Sequence, residues 1–287
     1  MTPLPGAAAA RTGRGAARAG RGRPQQAMAR DYDEAARGWR SGPGPLYECF
    51  ARRLVARAPM PLAGARVLDL GAGTGALAGA LADAGAVAVA ADLSPAMARA
   101  LRAGAPGTAV VVSDATRLAL ADACMDAVAS AFVLNHVPAP HCLLAEAARV
   151  TRPGGWVLAA TFAAGGDHPA KRVVDDVAAR WGWHEPPWYG EQRRWAALTD
   201  TPAGLAAQAR AAGLLRAHVE RVEADTGPLT AADVVAWRLG HAHLAGFVRS
   251  LPSATRARLA AEAEARLGPG PHELRRMLLM LSIQVAA

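Results

Sequence analysis

Residues 67–75, VLDLGAGTG, run from an apolar stretch straight into glycines at 71, 73 and 75, and the chain continues directly as ALAGALADAG. A bare backbone between a strand and a helix is the tightest constraint in this sequence. It demands a βα unit whose turn can approach a bound molecule with no Cβ in the way. The turn alone does not name that molecule, because several cofactors use glycine-rich strand-to-helix turns. GAGTGA also satisfies the permissive dinucleotide pattern, with Asp92 about 20 residues further on. NAD or FAD is therefore a competitor at this point.

The rest of the chain repeats the unit. Runs rich in Val and Ala fall at 65–70, 86–91, 108–112, 126–133 and 155–161, separated by segments of helical length or by a turn. Strands alternating with helices form a doubly wound parallel sheet. Runs that are apolar nearly throughout suit strands covered on both faces. Residues 163–200 break the rhythm, with Trp181, Trp183, Trp188 and Trp195 beside Pro186 and Pro187. Beyond them the pattern predicts a helix at 201–212, a strand at 214–223, helices at 230–250 and 253–267, and a last strand at 276–285.

At 287 residues and 52% hydrophobic, the chain can bury one large core. It divides into a tail (1–27), N-terminal helices (28–64) and a main domain (65–287) with insertions at 163–200 and 224–275. The net charge of +8 suggests nucleic acid until its distribution is considered. Five arginines and no acid lie in residues 1–27, and the remainder carries +3. That Arg/Gly/Ala tail is expected to be disordered. An RNA-binding arm or a transit peptide is the functional reading. Low-complexity coding, with translation starting at Met28, is the plainer one, and the presence of a single lysine, Lys171, favours it. Cys49, Cys124 and Cys142 form no Cys-x-x-Cys pair and read as reduced thiols of a cytoplasmic protein. No stretch approaches the roughly 20 apolar residues of a membrane span.

Three features move the argument away from a dinucleotide. Asp69, two residues before the first glycine, would repel a pyrophosphate and welcome an ammonium. Asp114 ends the third strand in VVVSDA, placed to accept from an adenine amino group. An Arg-Pro-Gly-Gly turn precedes the fifth strand in ARVTRPGGWVLAATF.

The order VLDLGAGTG, AADLSPAM, VVSDA, DAVASAFVLNHV, EAARVTRPGGWVLA resembles the class I S-adenosylmethionine-dependent methyltransferases. It looks closest to a small-molecule branch that includes ubiquinone-biosynthesis C-methyltransferases and many actinobacterial natural-product enzymes. The resemblance covers residues 65–162, and the flanks match only loosely. It implies an α/β, Rossmann-like doubly wound sheet of seven strands in order 3-2-1-4-5-7-6, the last antiparallel, with helical lid insertions. The insertion 224–275 departs from the family.

The resemblance also implies a site. Gly71, Ala72, Gly73 and Gly75 would lie under the methionine part of S-adenosyl-L-methionine, with Asp69 facing its amino group. Asp92 would take both ribose hydroxyls, Leu93 and Met97 would sandwich the adenine, Asp114 and Ala115 would hold its edge, and Phe132 would close over the methionine side. Leu93 and Met97 also read as ordinary core, and Asp92 as a helix cap beside Ser94 and Pro95.

His136, just past the fourth strand, reads as a proton acceptor or as a hydrogen-bonded loop residue. His168, with Asp167, has a comparable claim as a catalytic residue. Tyr32, Trp39, Tyr47, Trp188 and Tyr189 are expected to roof an apolar substrate pocket, with Gly165 and Gly166 as the hinge of a lid, or else simply to pack. No metal is implied; His241 and His243, two apart, would not share a helical face.

The expectation is a cytoplasmic methyltransferase acting at oxygen on a small, fairly apolar metabolite, in natural-product biosynthesis. C- or N-methylation, an RNA or protein acceptor, and last a NAD-binding or non-catalytic protein are the alternatives. Neither nucleic acid nor membrane is an expected partner.

Overall fold

The computed structural model describes residues 22–166 and 168–286. Asp167 and the expected disorder of 1–21 lie outside the described residues. The chain enters the fold earlier than its composition suggests, because α1 (Arg23–Trp39) already includes residues 23–27 of the expected tail. Pro24 supplies a helical φ in the first turn, and the Gly22 amide donates to Gln25 Oε1 at 3.1 Å. Met28, Ala35, Ala36 and Trp39 are buried along one side of α1. That stripe overrides the Arg/Gly bias of the first turn. α2 (Gly44–Val55) follows and buries Leu46, Phe50 and Leu54.

β1 (Arg66–Leu70), β2 (Val87–Asp92), β3 (Ala109–Val112), β4 (Met125–Ala131), β5 (Thr151–Phe162), β6 (His218–Leu229) and β7 (His272–Gln284) form one sheet, ordered β3-β2-β1-β4-β5-β7-β6. β1 to β5 pair in parallel, and β7 runs antiparallel to both β5 and β6. The expected sheet is the one observed. Alternate residues of β1 feed opposite cores, as a period of two requires. Val67 packs toward α2 and toward α3 (Ala76–Asp83). Leu68 packs toward α5 (Pro140–Val150) and α8 (Pro202–Ala211). α4 (Pro95–Gly104) connects β2 to β3.

The boundaries near the carboxyl-terminal half differ from the expectation. β5 begins at Thr151, so Arg152–Gly155 is an irregular start of the strand, with a register shift between Met125 and Ala127 of β4. Gly155 is needed there, since a Cβ would lie 2.4 Å from the Asp126 carbonyl oxygen. β6 begins four residues later than expected and runs to Leu229. β7 begins at His272, so the two form a long antiparallel ladder bulged between Asp225 and Pro228. The helical part of the last insertion is shorter as a result. It also contains three helices, α9 (Ala231–Leu239), α10 (Ala242–Ser250) and α11 (Ser253–Leu267), because Gly240 and His241 break the expected helix 230–250.

The 163–200 insertion folds as α6 (Pro169–Arg180) and α7 (Pro187–Ala196). Val174 and Val177 of α6, Val234 and Trp237 of α9, and Leu259 and Ala263 of α11 share one core with Val67 and Leu158 of the sheet. Both insertions are built into the domain. No described helix is long and apolar enough to cross a membrane.

Candidate functional site

The glycine turn opens at the carboxyl edge of the parallel strands, where sheets of this kind bind ligands. Gly71 and Gly73 both have left-handed backbones, at φ +79° and +55°. The Gly71 and Ala72 amides donate to the Ala91 carbonyl at 2.7 and 3.1 Å, folding the turn over β2. A Cβ at Gly71 would lie 2.1 Å from Val133 Cγ2, whereas at Gly73 it would meet no protein atom within 4 Å. That space belongs to a cavity. Gly75 is different: at φ +102° its Cβ would lie 3.1 Å from Leu101 of α4, and it does not line the cavity. On that side Gly75 lets α3 pack closely against α4.

The cavity is lined by Asp69, Gly71, Ala72, Gly73, Asp92, Leu93, Met97, Asp114, Ala115, Phe132 and His136, and covered by Tyr32 and Trp39. Those thirteen expected residues are brought together. Asp69 is almost fully buried and its Oδ2 has no hydrogen-bond partner. Burial pushes its carboxyl up to about 8, with Asp92 adding to the shift and the Ala78 amide offsetting it only in part. A cation set into the cavity would supply the missing compensation.

Asp92 accepts from the Gly73 amide through Oδ2 and from the Ser94 amide through Oδ1, each at 2.7 Å. Each oxygen keeps a further acceptor site toward the cavity. Burial raises its carboxyl, while the Ser94 and Gly73 amides pull it back down. The helix-cap task falls to Ser94, whose Oγ accepts from the Met97 amide at 3.0 Å. Asp33 of α1 accepts from Ser94 Oγ at 2.5 Å and from the Ala96 amide at 3.0 Å, clamping α1 over this edge. Asp114 Oδ1 accepts from the Thr116 amide and hydroxyl. Phe132 holds a positive φ of 62° at the end of β4, a conformation that non-glycine residues keep mainly at functional sites. It stacks on Phe162, with ring centroids 4.4 Å apart.

A second cavity adjoins the first and shares Tyr32, Tyr47 and His136 with it. The two enclose about 1250 and 780 Å³ of empty space, open solvent included. Trp188 and Tyr189 line the second cavity and not the first. Trp188 Nε1 donates to Asp31 Oδ2 at 2.6 Å, tying α7 to α1. Tyr189 stacks on His243 at 4.0 Å, nearly parallel. Gln192 Nε2 donates to the Asn135 carbonyl at 2.9 Å. The expected hinge is held as well, since the Arg276 guanidinium donates to the Gly166 carbonyl. The insertion is a packed wall of the second cavity.

His168 does not reach the site. It caps α6, its Nδ1 accepting from the Ala170 amide at 3.2 Å, and it lines neither cavity. Its catalytic reading is corrected to a helix cap. His241 and His243 do come together, with rings 5.7 Å apart, both lining the second cavity. Residue 241 precedes the first turn of α10, so helical spacing does not govern the pair.

Sequence reasoning missed Gln25, Met28 and Ala29 of the first cavity, and Lys171, Arg238, His241, His243 and Arg276 of the second. Met28, Tyr32, Ala35, Ala36 and Trp39 follow helical spacing and could have signalled α1. The second set comes from separate segments and leaves no local signal.

A family profile described as a methyltransferase domain matches residues 68–159, which spans the glycine turn, Asp92, Asp114 and His136. Residues 68–159 carry a methyltransferase domain. Demethylmenaquinone methyltransferase from Renibacterium salmoninarum is 40% identical over 129 residues, covering 45% of this chain and 54% of that protein. The Mycobacterium tuberculosis protein of the same name is 46% identical over 100 residues, covering 34% and 42%. The chain thus spans about half the length of the curated relatives it matches.

Solved methyltransferases share the domain's fold. Haemonchus contortus phosphoethanolamine N-methyltransferase 2, solved with S-adenosyl-L-methionine, superposes with a TM-score of 0.57 at 16% identity, over 93% of this chain and 61% of that one. A Thermotoga maritima methyltransferase gives a TM-score of 0.53 at 16% identity, over 91% and 99%.

Proposed function

We propose that this protein is an S-adenosylmethionine-dependent methyltransferase that methylates a small acceptor with a largely apolar body at a hydroxyl oxygen, in a biosynthetic pathway. The observation that carries the reading is the buried, unpartnered Asp69 Oδ2 beside the open face of Gly73, in a cavity joined to a second, aromatic one. Asp69 holds the cofactor's ammonium, and the backbone from Gly71 to Gly73 lies against its methionine part. Asp92 takes the ribose hydroxyls, Leu93 and Met97 flank the adenine, Asp114 and Ala115 meet its edge, and Phe132 closes the methionine side.

When bound, this cofactor supplies an activated methyl group, so the protein's contribution is chiefly orientation and exclusion of water. Tyr32, Tyr47 and His136 stand where the cavities meet. His136 Nε2 lies 3.3 Å from the Tyr32 hydroxyl, and its Nδ1 has no partner. Burial pushes its imidazole down to about 4, so it is neutral at physiological pH. It orients the acceptor hydroxyl as a hydrogen-bond acceptor. It takes the proton only as that oxygen becomes acidic during bond formation.

Two measurements test the reading. Calorimetry should show S-adenosylhomocysteine binding, with NAD failing to bind. His136→Gln should retain that affinity within about twofold while turnover on a panel of hydroxylated aromatics falls about 100-fold or more. An unchanged rate would remove His136 from the reaction.

Asp69 adds a pH signature. Its carboxyl is raised in the free protein and is lowered once an ammonium sits beside it, so binding releases a proton below about pH 8. Affinity for S-adenosylhomocysteine should rise from pH 6 to pH 8, by up to about tenfold per unit. Asp69→Asn should bind more weakly at pH 8 and show a flat profile. A flat profile in the unaltered protein would sink the assignment.

A further inference from the structure

We propose that the second cavity is built for an acceptor with a carboxylate held by Lys171, Arg238 and Arg276, on a largely apolar body. This rests on the methyltransferase reading and narrows its substrate class. The shared residues Tyr32, Tyr47 and His136 mark the end where the methyl group arrives. Lys171, Arg238 and Arg276 line only the second cavity, and no described carboxylate lines it. Lys171 is also the only lysine of a chain that otherwise uses arginine.

The cationic end is held in place by the fold. Arg238 is buried and makes a two-pronged ion pair with Asp175 at 2.6 and 2.8 Å, which fixes its plane from behind. The Arg276 guanidinium lies over the Phe162 ring, 4.6 Å from its centroid. Beside them, His243 Nε2 is buried without a hydrogen-bond partner, and the residue lines the cavity at 7% exposure. A buried ring nitrogen left open in this way calls for a polar ligand group. Burial first, and then Arg238 and Lys171, push the His243 imidazole down, and Arg276 acts likewise on His241. One positive field therefore reaches the whole of that end. Trp188, Trp237, Tyr189 and Phe162 make the rest of the lining aromatic and largely apolar.

The test compares naphthalene-2-carboxylate with its neutral near-isostere naphthalene-2-carboxamide, with and without S-adenosylhomocysteine, by quenching of tryptophan fluorescence. The carboxylate should bind at least about tenfold more tightly than the amide, the value of a charge-assisted hydrogen bond. Lys171→Met should erase about tenfold of the carboxylate's affinity and leave that of the amide and of S-adenosylhomocysteine unchanged. Lys171→Arg should restore most of it. Equal binding of the two probes, or binding of neither, overturns the proposal. Failure of S-adenosylhomocysteine to bind the unaltered protein overturns the methyltransferase reading instead, and the probe comparison made without it still decides the cavity's preference.

Discussion

Replacing Asp92 with alanine should weaken S-adenosylhomocysteine binding about 100-fold or more, which is at least about 2.7 kcal/mol. The carboxylate does two tasks. Its oxygens accept from the Gly73 and Ser94 amides, both at 2.7 Å, and they present their remaining lone pairs to the cavity. Alanine leaves both amides without acceptors, each at a cost of about 1–3 kcal/mol. The glycine turn then loses the anchor that holds it against the end of β2. Part of the loss is therefore in stability, about 1–2 kcal/mol once the removed desolvation of Asp92 is credited, and part in the ribose contacts of the proposed complex. Asp92→Asn keeps one acceptor oxygen and should fall between the two. Titration calorimetry with S-adenosylhomocysteine reads the affinity, and thermal melts read the stability. Binding unchanged in Asp92→Ala would show that this strand end does not hold the cofactor.

The largest effect on folding is expected at Asp175. Its partner Arg238 has a side chain only 3% exposed, while Asp175 itself is 23% exposed. Alanine at 175 strands a buried guanidinium, and breaking such a pair from one side costs about 3–5 kcal/mol. For a domain of this size that lowers the melting temperature by roughly 10 °C. The double variant Asp175→Ala, Arg238→Met should recover much of the loss, since removing both charges removes the stranded one. A double variant as unstable as the single would mean that the damage comes from α6–α9 packing and not from the unpaired charge.

How the two halves of the site could be read differs for a physical reason. The first cavity is made by successive strand ends and the turns that follow them. Asp69 and Gly73 sit within one strand–turn–helix, Asp92 ends the next strand, and Asp114 follows the one after. Each therefore carries a local mark in the chain, and the order of those marks is the order of a parallel sheet. Periodicity marked the strands themselves, whereas their order in the sheet was an expectation from the family resemblance. Gly75 shared the glycine pattern but serves helix packing, a distinction that only the distance to Leu101 reveals. His168 had the right chemistry at the right sheet edge, yet its Nδ1 accepts from the Ala170 amide and the residue lines neither cavity.

By itself, the sequence determined the alternating βα architecture, the carboxyl-edge cavity and its three carboxylates, because short-range periodicity and turn chemistry encode them. Only the tertiary structure decided what the neighbouring cavity is. α1 closes over the edge because Asp33 and Asp31 find partners on α4 and α7, far along the chain. Lys171, Arg238, His241, His243 and Arg276 come from α6, from α9 and the turn after it, from α10 and from β7. No periodicity within one segment can announce that they meet. Their convergence follows from packing two inserted helical segments onto the same end of the sheet, and burial there turns ordinary surface residue types into a charged wall.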